Sequence, residues 1–327
     1  MNADKNKKTL VRIPVIDPVP SGIKRPLWSV MIPTYNCAEY LIQALRSVLS
    51  QDPGPEHMQI EVVDDCSTKD DPQKIVSEYG KGRVLFHRRA SNGGVTSNFN
   101  TCVQRSVGHL VHILHGDDYV LDGFYKKIGS EFDVNESAIL IASRSFFIDE
   151  DNIIMGVTKH IPSLNDVSNN PAEFFYECPI QCPGVVVRRK FYENFGGFDH
   201  SLVHSADWEM WTRAFGFSGG IILNDVLSCY RQTSGNDSGR LMKTAENLRD
   251  YERLALIYKA RYPEYDLKQG MKIISSKALQ QAVRFRVLGD SDAEKMNLKF
   301  WKSQTPAISR VIKHASLMVK EGLSRHR

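Results

Sequence analysis

The sequence predicts an α/β domain with a mainly parallel sheet flanked by helices, followed by a C-terminal helical region. Three observations predict it. Short apolar runs rich in β-branched residues alternate with segments of helical periodicity in the first half of the chain. The first two runs begin about 30 residues apart, which is the spacing of a βαβ unit. From residue 244 onward, apolar residues recur at helical intervals.

These patterns divide the chain into three parts. Residues 1–27 are rich in Lys and Pro, and we expect an extended arm there rather than a packed element. The α/β domain is predicted over residues 28–240, and the helical region over residues 241–327.

The elements of the α/β domain follow in order. A first strand begins at Trp28 with WSVMI, and the next helix ends at the DPGP segment. For that helix we expect Asn36 as the N-cap and Glu39 as its partner in a variant capping box. The same alternation predicts strands at 60–63, 83–87 and 109–114, a helix at 96–105, and later strands at 138–148 and 185–187.

The composition favours some classes of protein and argues against others. The chain has 327 residues, of which 42% are hydrophobic and 24% are charged, as in an ordinary globular enzyme. A formal net charge of only +4 gives no reason to expect a nucleic-acid partner. The six cysteines form no CxxC pair, which predicts reduced thiols, a cytoplasmic location and no zinc site. No apolar run reaches the roughly 18 residues that a membrane span needs.

Three polar loops follow predicted strands. They are IPTYN at residues 32–36, DDCST at residues 64–68 and HGDDY at residues 115–119. If the strands are parallel, all three loops lie at the carboxyl edge of the sheet, where open α/β folds bind their ligands. Turns favour Asp, Asn, Ser and Gly in any case, so a single such loop has little weight, whereas three together predict a site.

The side chains in these loops suit a nucleotide and a metal ion. Asp117 and Asp118 offer the oxygen ligands that Mg²⁺ and Mn²⁺ prefer, with phosphate completing the shell. A carboxylate of the Asp64-Asp65 pair could accept hydrogen bonds from a base or a ribose. Tyr35 either stacks on a base or packs beneath its own loop.

The ordered set SVMIPTYNCAEYLIQALRSVLSQ, IEVVDDCSTKDDP and HGDDYV resembles the glycosyltransferases of family 2, which have the Rossmann-like GT-A fold. The resemblance covers about residues 28–231. It implies that Pro33, Tyr35 and Asp65 bind the nucleotide, while Asp64 only anchors its turn. It also implies that Asp117 and Asp118 hold the diphosphate and a divalent cation, with Asp118 the better direct metal ligand.

The second half of the domain contains SADWEMWTRAFGF, which resembles the acceptor-side helix of the family. The resemblance implies that Asp207 is the general base, although an acid in the first turn of a helix is also favoured by the helix dipole. Trp208 and Trp211 either pack in the core or form a platform for a sugar ring. The Tyr230-Arg231 pair resembles the end of the family's domain, and Arg231 either neutralises diphosphate charge or is structural.

Two positions depart from the family pattern. His115 stands where relatives often have another acid, so it is either a spectator or an unusual donor to the phosphates. Ala206 stands where relatives usually have the Glu that precedes the base. These departures affect the acceptor geometry and the donor contacts, but they leave the metal and base positions in place.

The predicted reaction is transfer of a sugar from a nucleotide diphosphate sugar to an acceptor hydroxyl, with inversion implied by the resemblance, in polysaccharide or glycoconjugate assembly. The acceptor would be a saccharide or a lipid-linked saccharide, and the cofactor Mn²⁺ or Mg²⁺. The alternatives are a non-catalytic nucleotide-sugar-binding protein and a nucleotidyltransferase, although no glycine-rich phosphate loop with a Lys follows the first strand.

The last residues of the chain predict a basic amphipathic helix. Its apolar side includes Ile308, Val311 and Ile312, and Lys313 and Lys320 are among its charges. It is expected to pack against the catalytic domain or a second subunit, or to rest on the inner face of the membrane.

Overall fold

The computed structural model describes residues 13–233 and 237–304 of the chain. The contacts between residues divide it into two units, Met1–Ser201 with Ala206–Gln232, and Leu202–Ser205 with Thr233–Arg327. The first unit therefore ends directly after its last strand, whereas the boundary expected near residue 240 falls within a helix.

The first half of the first unit is a parallel sheet. Its strands are β1 (Trp28–Thr34), β2 (Met58–Asp64), β3 (Leu85–Arg88) and β4 (Leu110–Ile113), arranged in the order β3-β2-β1-β4. Val30 of β1 is paired with Ile60 on one side and His112 on the other. Because the four strands point the same way, the loops that follow them share one edge of the sheet.

Helices connect these parallel strands. They are α1 (Ala38–Leu49), α2 (Pro72–Gly80) and α3 (Val95–Arg105). The apolar face of α1 is buried, since Leu41, Leu45 and Val48 are 0% exposed. These contacts fix α1 over the sheet and place its N-terminus beside the loop after β1.

The predicted N-cap of α1 is wrong. The cap position is Cys37, which makes no side-chain capping bond, and the first helical N–H, that of Ala38, donates to Asp70 Oδ2 at 2.7 Å. Asn36 instead has a φ of 52° and accepts hydrogen bonds from the backbone N–H groups of Thr68 and Lys69. The loop after β2 therefore supplies the cap, and the side chain of Asn36 is used to hold that loop.

The second half of the sheet is mixed. It contains β5 (Tyr119–Val120), β6 (Leu140–Ile148), β7 (Ile154–Val157), β8 (Val185–Arg188) and β9 (Gly220–Arg231). Strand β8 is antiparallel to β4 and β6, while β6 and β9 are parallel. Three α-helices lie among these strands: α4 (Phe124–Val134), α5 (Arg189–Phe195) and α6 (Ala206–Ser218). The predicted α/β fold is confirmed, with the parallel pairing concentrated in its first half.

The part of the N-terminal arm that the structure describes has no regular structure but is attached to the rest of the first unit. Residues 13–27 contain no helix or strand, but Ile16 is 2% exposed. The carbonyl of Pro14 accepts the N–H of Gly197 at 2.8 Å, and the carbonyl of Asp17 accepts from Arg189. The arm lacks regular structure because its prolines and polar residues favour an extended chain. The side chain of Ile16 is nevertheless buried in the core.

The second unit is helical in its described part, with α7 (Asp237–Lys243), α8 (Glu246–Arg261), α9 (Leu267–Val287) and α10 (Ser291–Gln304). Within this unit, the buried carboxylate of Asp250 accepts hydrogen bonds from the N–H groups of Val203, His204 and Ser205. The amphipathic helix expected near the C-terminus lies outside the described residues. No described helix combines the length and apolar character needed to span a membrane.

Candidate active site

The structure brings the three predicted loops together. The N–H of Asp65 donates to the carbonyl of Thr34 at 2.9 Å, and the N–H of Gly116 donates to the carbonyl of Pro33 at 3.0 Å. A Cβ atom on Gly116 would lie 3.0 Å from Thr34 Oγ1 and 3.1 Å from Cys37 Sγ. Glycine at this position therefore lets the HGDDY loop approach the loop after β1 closely.

Asp64 anchors its own turn, as the resemblance implies. Its carboxylate is 0% exposed and accepts from the N–H of Ser67 at 3.0 Å, the Ser67 hydroxyl at 2.6 Å and Arg88 Nη1 at 2.6 Å. These bonds fix the turn after β2, in which Cys66 has a φ of 63°. Because these donors occupy both oxygens of the Asp64 carboxylate, its role is structural.

Asp65, a predicted nucleotide-binding residue, is held by a second glycine-containing loop. Its carboxylate accepts from the N–H groups of Gly93 at 3.0 Å and Gly94 at 2.9 Å, and it forms an ion pair with Arg89. It is 2% exposed. A nucleotide could therefore bind the remaining lone pairs of the Asp65 carboxylate, or it could bind the adjoining Arg89 instead.

Tyr35 and Pro33 differ in exposure. Pro33 is buried near the carboxyl end of β1, whereas Tyr35 is 42% exposed. Tyr35 therefore does not pack beneath its own loop, and its ring is accessible for stacking. Its contact with a base stays a prediction.

The acid pair of the HGDDY loop occupies two different environments. Asp118 is 1% exposed, and its Oδ1 accepts the backbone N–H of Arg231 at 2.8 Å, while Asp117 is only half-buried. Burial and the neighbouring charge of Asp118 raise the pKa of Asp117 above the ordinary range of an aspartate. One ligand atom from each of His115, Asp117 and Asp118 lies within 4.8 Å of the others.

His115 lies in the same cluster. Its ring is stacked on Phe99, with centroids 5.2 Å apart, and its Nδ1 is 3.3 Å from Asp118 Oδ2. Burial lowers the pKa of His115, but Cys182 and the Asp118 carboxylate outweigh that effect, so the pKa lies above the usual histidine value. His115 therefore contacts the acid pair directly.

Arg231 is structural. Its guanidinium is 1% exposed and lies over the ring of Tyr40 at 4.5 Å. All five of its N–H groups can be assigned to acceptors, which are the carbonyls of Asp117, Asp149 and Glu150 and the side-chain oxygens of Gln43 and Asn152. It thus ties the acid loop to α1 and to the β6–β7 hairpin, and it leaves no donor directed at a diphosphate.

Replacement of Arg231 by Lys should destabilise the protein. A lysine ammonium has three donors and cannot reproduce the planar five-donor pattern, so buried acceptors lose their partners. We expect the free energy of unfolding, measured by urea denaturation, to fall by about 2–4 kcal/mol. Arg46→Lys, on the exposed side of α1, is the matched control and should change stability little. Equal stability of the two variants would contradict the structural role of Arg231.

Asp207 is in the first turn of α6 and is half-buried. Its Oδ1 accepts the N–H of Trp208 at 2.7 Å. Burial raises the pKa of the buried Cys182 thiol, His115 lowers it, and the charges of Asp207 and Asp118 raise it.

The tryptophans that follow Asp207 belong to the core. Trp208 is 8% exposed and donates through Nε1 to the carbonyl of Phe174 at 2.6 Å, while Trp211 is 2% exposed and packs edge-on against Phe198. The alternative of an aromatic platform for a sugar ring is therefore wrong. Their burial fixes the orientation of α6 and, with it, the start of the helix that carries Asp207.

Comparison with known proteins identifies the family. The family model that matches the chain is Glycosyl transferase family 2, over residues 29–196, slightly more than half of the sequence. The chain belongs to glycosyl transferase family 2. The family predicted from the sequence is confirmed, and the chain is a glycosyltransferase.

Two known proteins illustrate the similarity of sequence. An uncharacterised protein of Mycobacterium tuberculosis, MT1568, is 28% identical over 243 residues, which is 70% of this chain and 75% of that protein. TarS of Staphylococcus aureus, a poly(ribitol-phosphate) β-N-acetylglucosaminyltransferase, is 30% identical over 116 residues, covering 35% of this chain and 20% of TarS.

Solved structures show the same fold. TarS residues 1–349 in complex with UDP-GlcNAc match with a TM-score of 0.53 and 16% identity, covering 86% of this chain and 93% of that one. The mannosyltransferase PcManGT of Pyrobaculum calidifontis, in complex with GDP-Man and Mn²⁺, matches with a TM-score of 0.54 and 14% identity, covering 98% and 85%.

The acid pair of this family 2 chain fits a divalent cation. Asp118 Oδ2 is buried and has no hydrogen-bond partner, which is costly unless a ligand completes the site. Asp117 adds a second carboxylate from the adjacent residue, and carboxylate oxygens are the donors that Mg²⁺ and Mn²⁺ accept. The residues present are therefore suited to the cation that the family resemblance implies.

The sequence reasoning missed Arg88 and Arg89. Arg88 is the last residue of β3 and Arg89 follows it, and they pair with Asp64 and Asp65, so the end of a fourth strand contributes to the same edge. The signal was present in the sequence, because HRR ends a predicted strand of the same parallel sheet as the other three loops.

Proposed function

We propose that this chain transfers a hexosyl unit from a nucleotide diphosphate sugar to an acceptor hydroxyl, with inversion at the anomeric carbon and with Mn²⁺ or Mg²⁺ as cofactor. The observation that carries the proposal is the acid pair at the carboxyl edge of the parallel sheet, where one ligand atom each from Asp117 and Asp118 lies within 4.8 Å of the other. Asp118 is on the acid loop of this family 2 chain, and Asp207 begins α6 in the same unit. The reaction needs a donor-side acid site and an acceptor-side base on one face.

The donor would bind along the carboxyl edge of the parallel sheet. Tyr35 has an accessible ring that would stack on the base, and Pro33 and Asp65 belong to the loops beside it. Asp117 would contact the diphosphate. Asp118 and Asp117 would hold the cation. When bound, it supplies positive charge that stabilises the departing nucleoside diphosphate. Arg231 keeps both acids in place through its backbone N–H and its bond to the Asp117 carbonyl.

The base of the reaction would be Asp207. Its carboxylate takes the proton of the acceptor hydroxyl as the new bond forms between that oxygen and the anomeric carbon. The bond from the anomeric carbon to the diphosphate oxygen breaks on the opposite face, which inverts the configuration. Asp207 is only half-buried and so is reachable by an acceptor, whereas Trp208 and Trp211 behind it hold the helix.

The acceptor is proposed to be a saccharide or a lipid-linked saccharide in the assembly of a cell-envelope polysaccharide or glycoconjugate. The support is the similarity to TarS, whose name states that it acts on poly(ribitol-phosphate), and to the minor teichoic acid biosynthesis protein GgaB of Bacillus subtilis. With such an acceptor, the enzyme would work in the cytoplasm, at the inner face of the membrane. We further propose that it can form a homo-oligomer and that it has no nucleic-acid partner.

A donor screen tests the function. The protein is incubated with uridine, guanosine and thymidine diphosphate sugars and Mn²⁺, and released nucleoside diphosphate is measured by chromatography. Release from one donor, increased by added saccharide acceptors, is the expected result. Pyrophosphate released from a nucleoside triphosphate would favour a nucleotidyltransferase. Binding of a donor without release in the presence of any acceptor would favour a non-catalytic binding protein.

A further inference from the structure

His115 is in an unusual position for a histidine that has no function. Its Nδ1 is 3.3 Å from Asp118 Oδ2, which is the separation of an ion pair, but the geometry is not that of a hydrogen bond, and Asp118 Oδ2 has no other hydrogen-bond partner. His115 Nε2 is likewise buried and without a hydrogen-bond partner. The carboxylate oxygen beside Nδ1 and the other ring nitrogen, Nε2, thus both lie buried without a hydrogen-bond partner, which native interiors rarely allow.

The spacing fits a shared ion. Two ligand atoms in adjacent positions of an octahedral cation, with bonds of about 2.1 Å, are about 3 Å apart. The 3.3 Å between Nδ1 and Oδ2 is close to that value. The half-buried Asp117 supplies a third ligand atom within the same 4.8 Å cluster. The His115 side chain is 21% exposed, so the ring borders the open part of the site.

The ring is also held in one orientation. It is stacked on Phe99 with an interplanar angle of 20°, and Phe99 is itself 4% exposed at the buried side of α3. A ligand whose ring is fixed by packing loses little entropy when it binds an ion.

We propose that His115 is a nitrogen ligand, beside Asp118, for the divalent cation of the donor site, and that it makes the site prefer Mn²⁺ to Mg²⁺. The inference rests on the proposed function, because that function requires a cation at Asp117 and Asp118. Mg²⁺ binds oxygen ligands almost exclusively, whereas Mn²⁺, although it also prefers oxygen, is a transition ion that accepts an imidazole nitrogen beside carboxylates. Replacing one oxygen by a nitrogen therefore disfavours Mg²⁺ selectively.

The test measures cation binding without catalysis. The full chain is titrated with Mn²⁺ alone and followed by electron paramagnetic resonance, and pulsed measurements detect the magnetic coupling of the ion to a nearby ¹⁴N nucleus. We expect the ¹⁴N coupling in the wild type and its loss in His115→Ala and His115→Asp. His160→Ala, which removes an exposed histidine elsewhere in the first unit, is the matched control and should keep the coupling.

Competition between the two ions supplies the second measurement. His115→Asp restores an all-oxygen set, so the ratio of Mn²⁺ to Mg²⁺ affinities should fall by about 10-fold or more, the scale on which contacts that support metal ligands act. Relatives often have an acid at this position, so we expect His115→Asp to fold. The test can therefore still be read if His115→Ala does not fold.

Two results would overturn the inference. Mn²⁺ bound to the wild type without ¹⁴N coupling would show that His115 is not a ligand, and so would an unchanged ion preference in His115→Asp. Both leave the proposed transferase standing if sugar transfer is cation-dependent. Sugar transfer by the wild type with no bound Mn²⁺ or Mg²⁺ would instead contradict the cation in the proposed function, and the inference with it.

Discussion

Asp207→Asn is expected to abolish most sugar transfer while leaving nucleotide binding unchanged. The amide keeps an oxygen that can accept the Trp208 N–H, so the start of α6 keeps its structure. It cannot take the proton of the acceptor hydroxyl, and general bases usually contribute about 10²–10⁴-fold to a rate. We expect a fall of that size in kcat for transfer, measured by product formation, and an unchanged Kd for nucleoside diphosphate by calorimetry.

Asp225→Asn is a suitable control for this experiment, because it neutralises an exposed carboxylate of β9 in the same unit. It should transfer at the wild-type rate. If Asp207→Asn also transfers at that rate, Asp207 is not the base. If it loses nucleotide binding and transfer together, Asp207 acts on the structure of the site rather than on the proton.

Asp118→Asn should lose cation-dependent transfer. The carboxamide oxygen can still accept the N–H of Arg231, but the charge at the buried Oδ2 position is gone. Loss of about 3 kcal/mol of charge stabilisation in the transition state corresponds to about 10²-fold in rate. We expect at least that decrease in transfer at saturating Mn²⁺, together with weaker Mn²⁺ binding by paramagnetic resonance.

The companion control is Asp122→Asn, four residues further along the chain at an exposed position. It should require the same Mn²⁺ concentration as the wild type for half-maximal transfer. Wild-type transfer by Asp118→Asn at the same Mn²⁺ requirement would exclude Asp118 from the cation site and direct attention to Asp117.

Much of the fold could be predicted because it depends on local patterns. The spacing of apolar runs located the parallel strands, and parallel strands place the acids of three loops at one edge. The same logic predicted that Asp64, Asp65, Asp117 and Asp118 would lie near one another. These predictions need only the periodicity of the chain and the direction of its strands.

What failed or stayed open depends on contacts between distant residues. Asn36 has the chemistry of an N-cap, but Asp70 of another loop takes that role. Whether Arg231 contacts a diphosphate or the protein was undecidable from sequence, since its partners come from α1, the acid loop and the hairpin. Likewise, the antiparallel insertion of β8 beside β4 joins residues far apart in the chain. Local propensity carries no information about such pairings.

The buried oxygen of Asp118 that faces His115 has a consequence for engineering this enzyme. It has no hydrogen-bond partner, and a buried polar atom in that position costs about 1–3 kcal/mol of folding free energy. Selection for heat resistance alone would therefore favour variants that neutralise this oxygen and would discard the catalyst. Variants of this protein that are selected for thermal stability should therefore also be screened for sugar transfer, because the same oxygen atom lowers the stability and is needed for the activity.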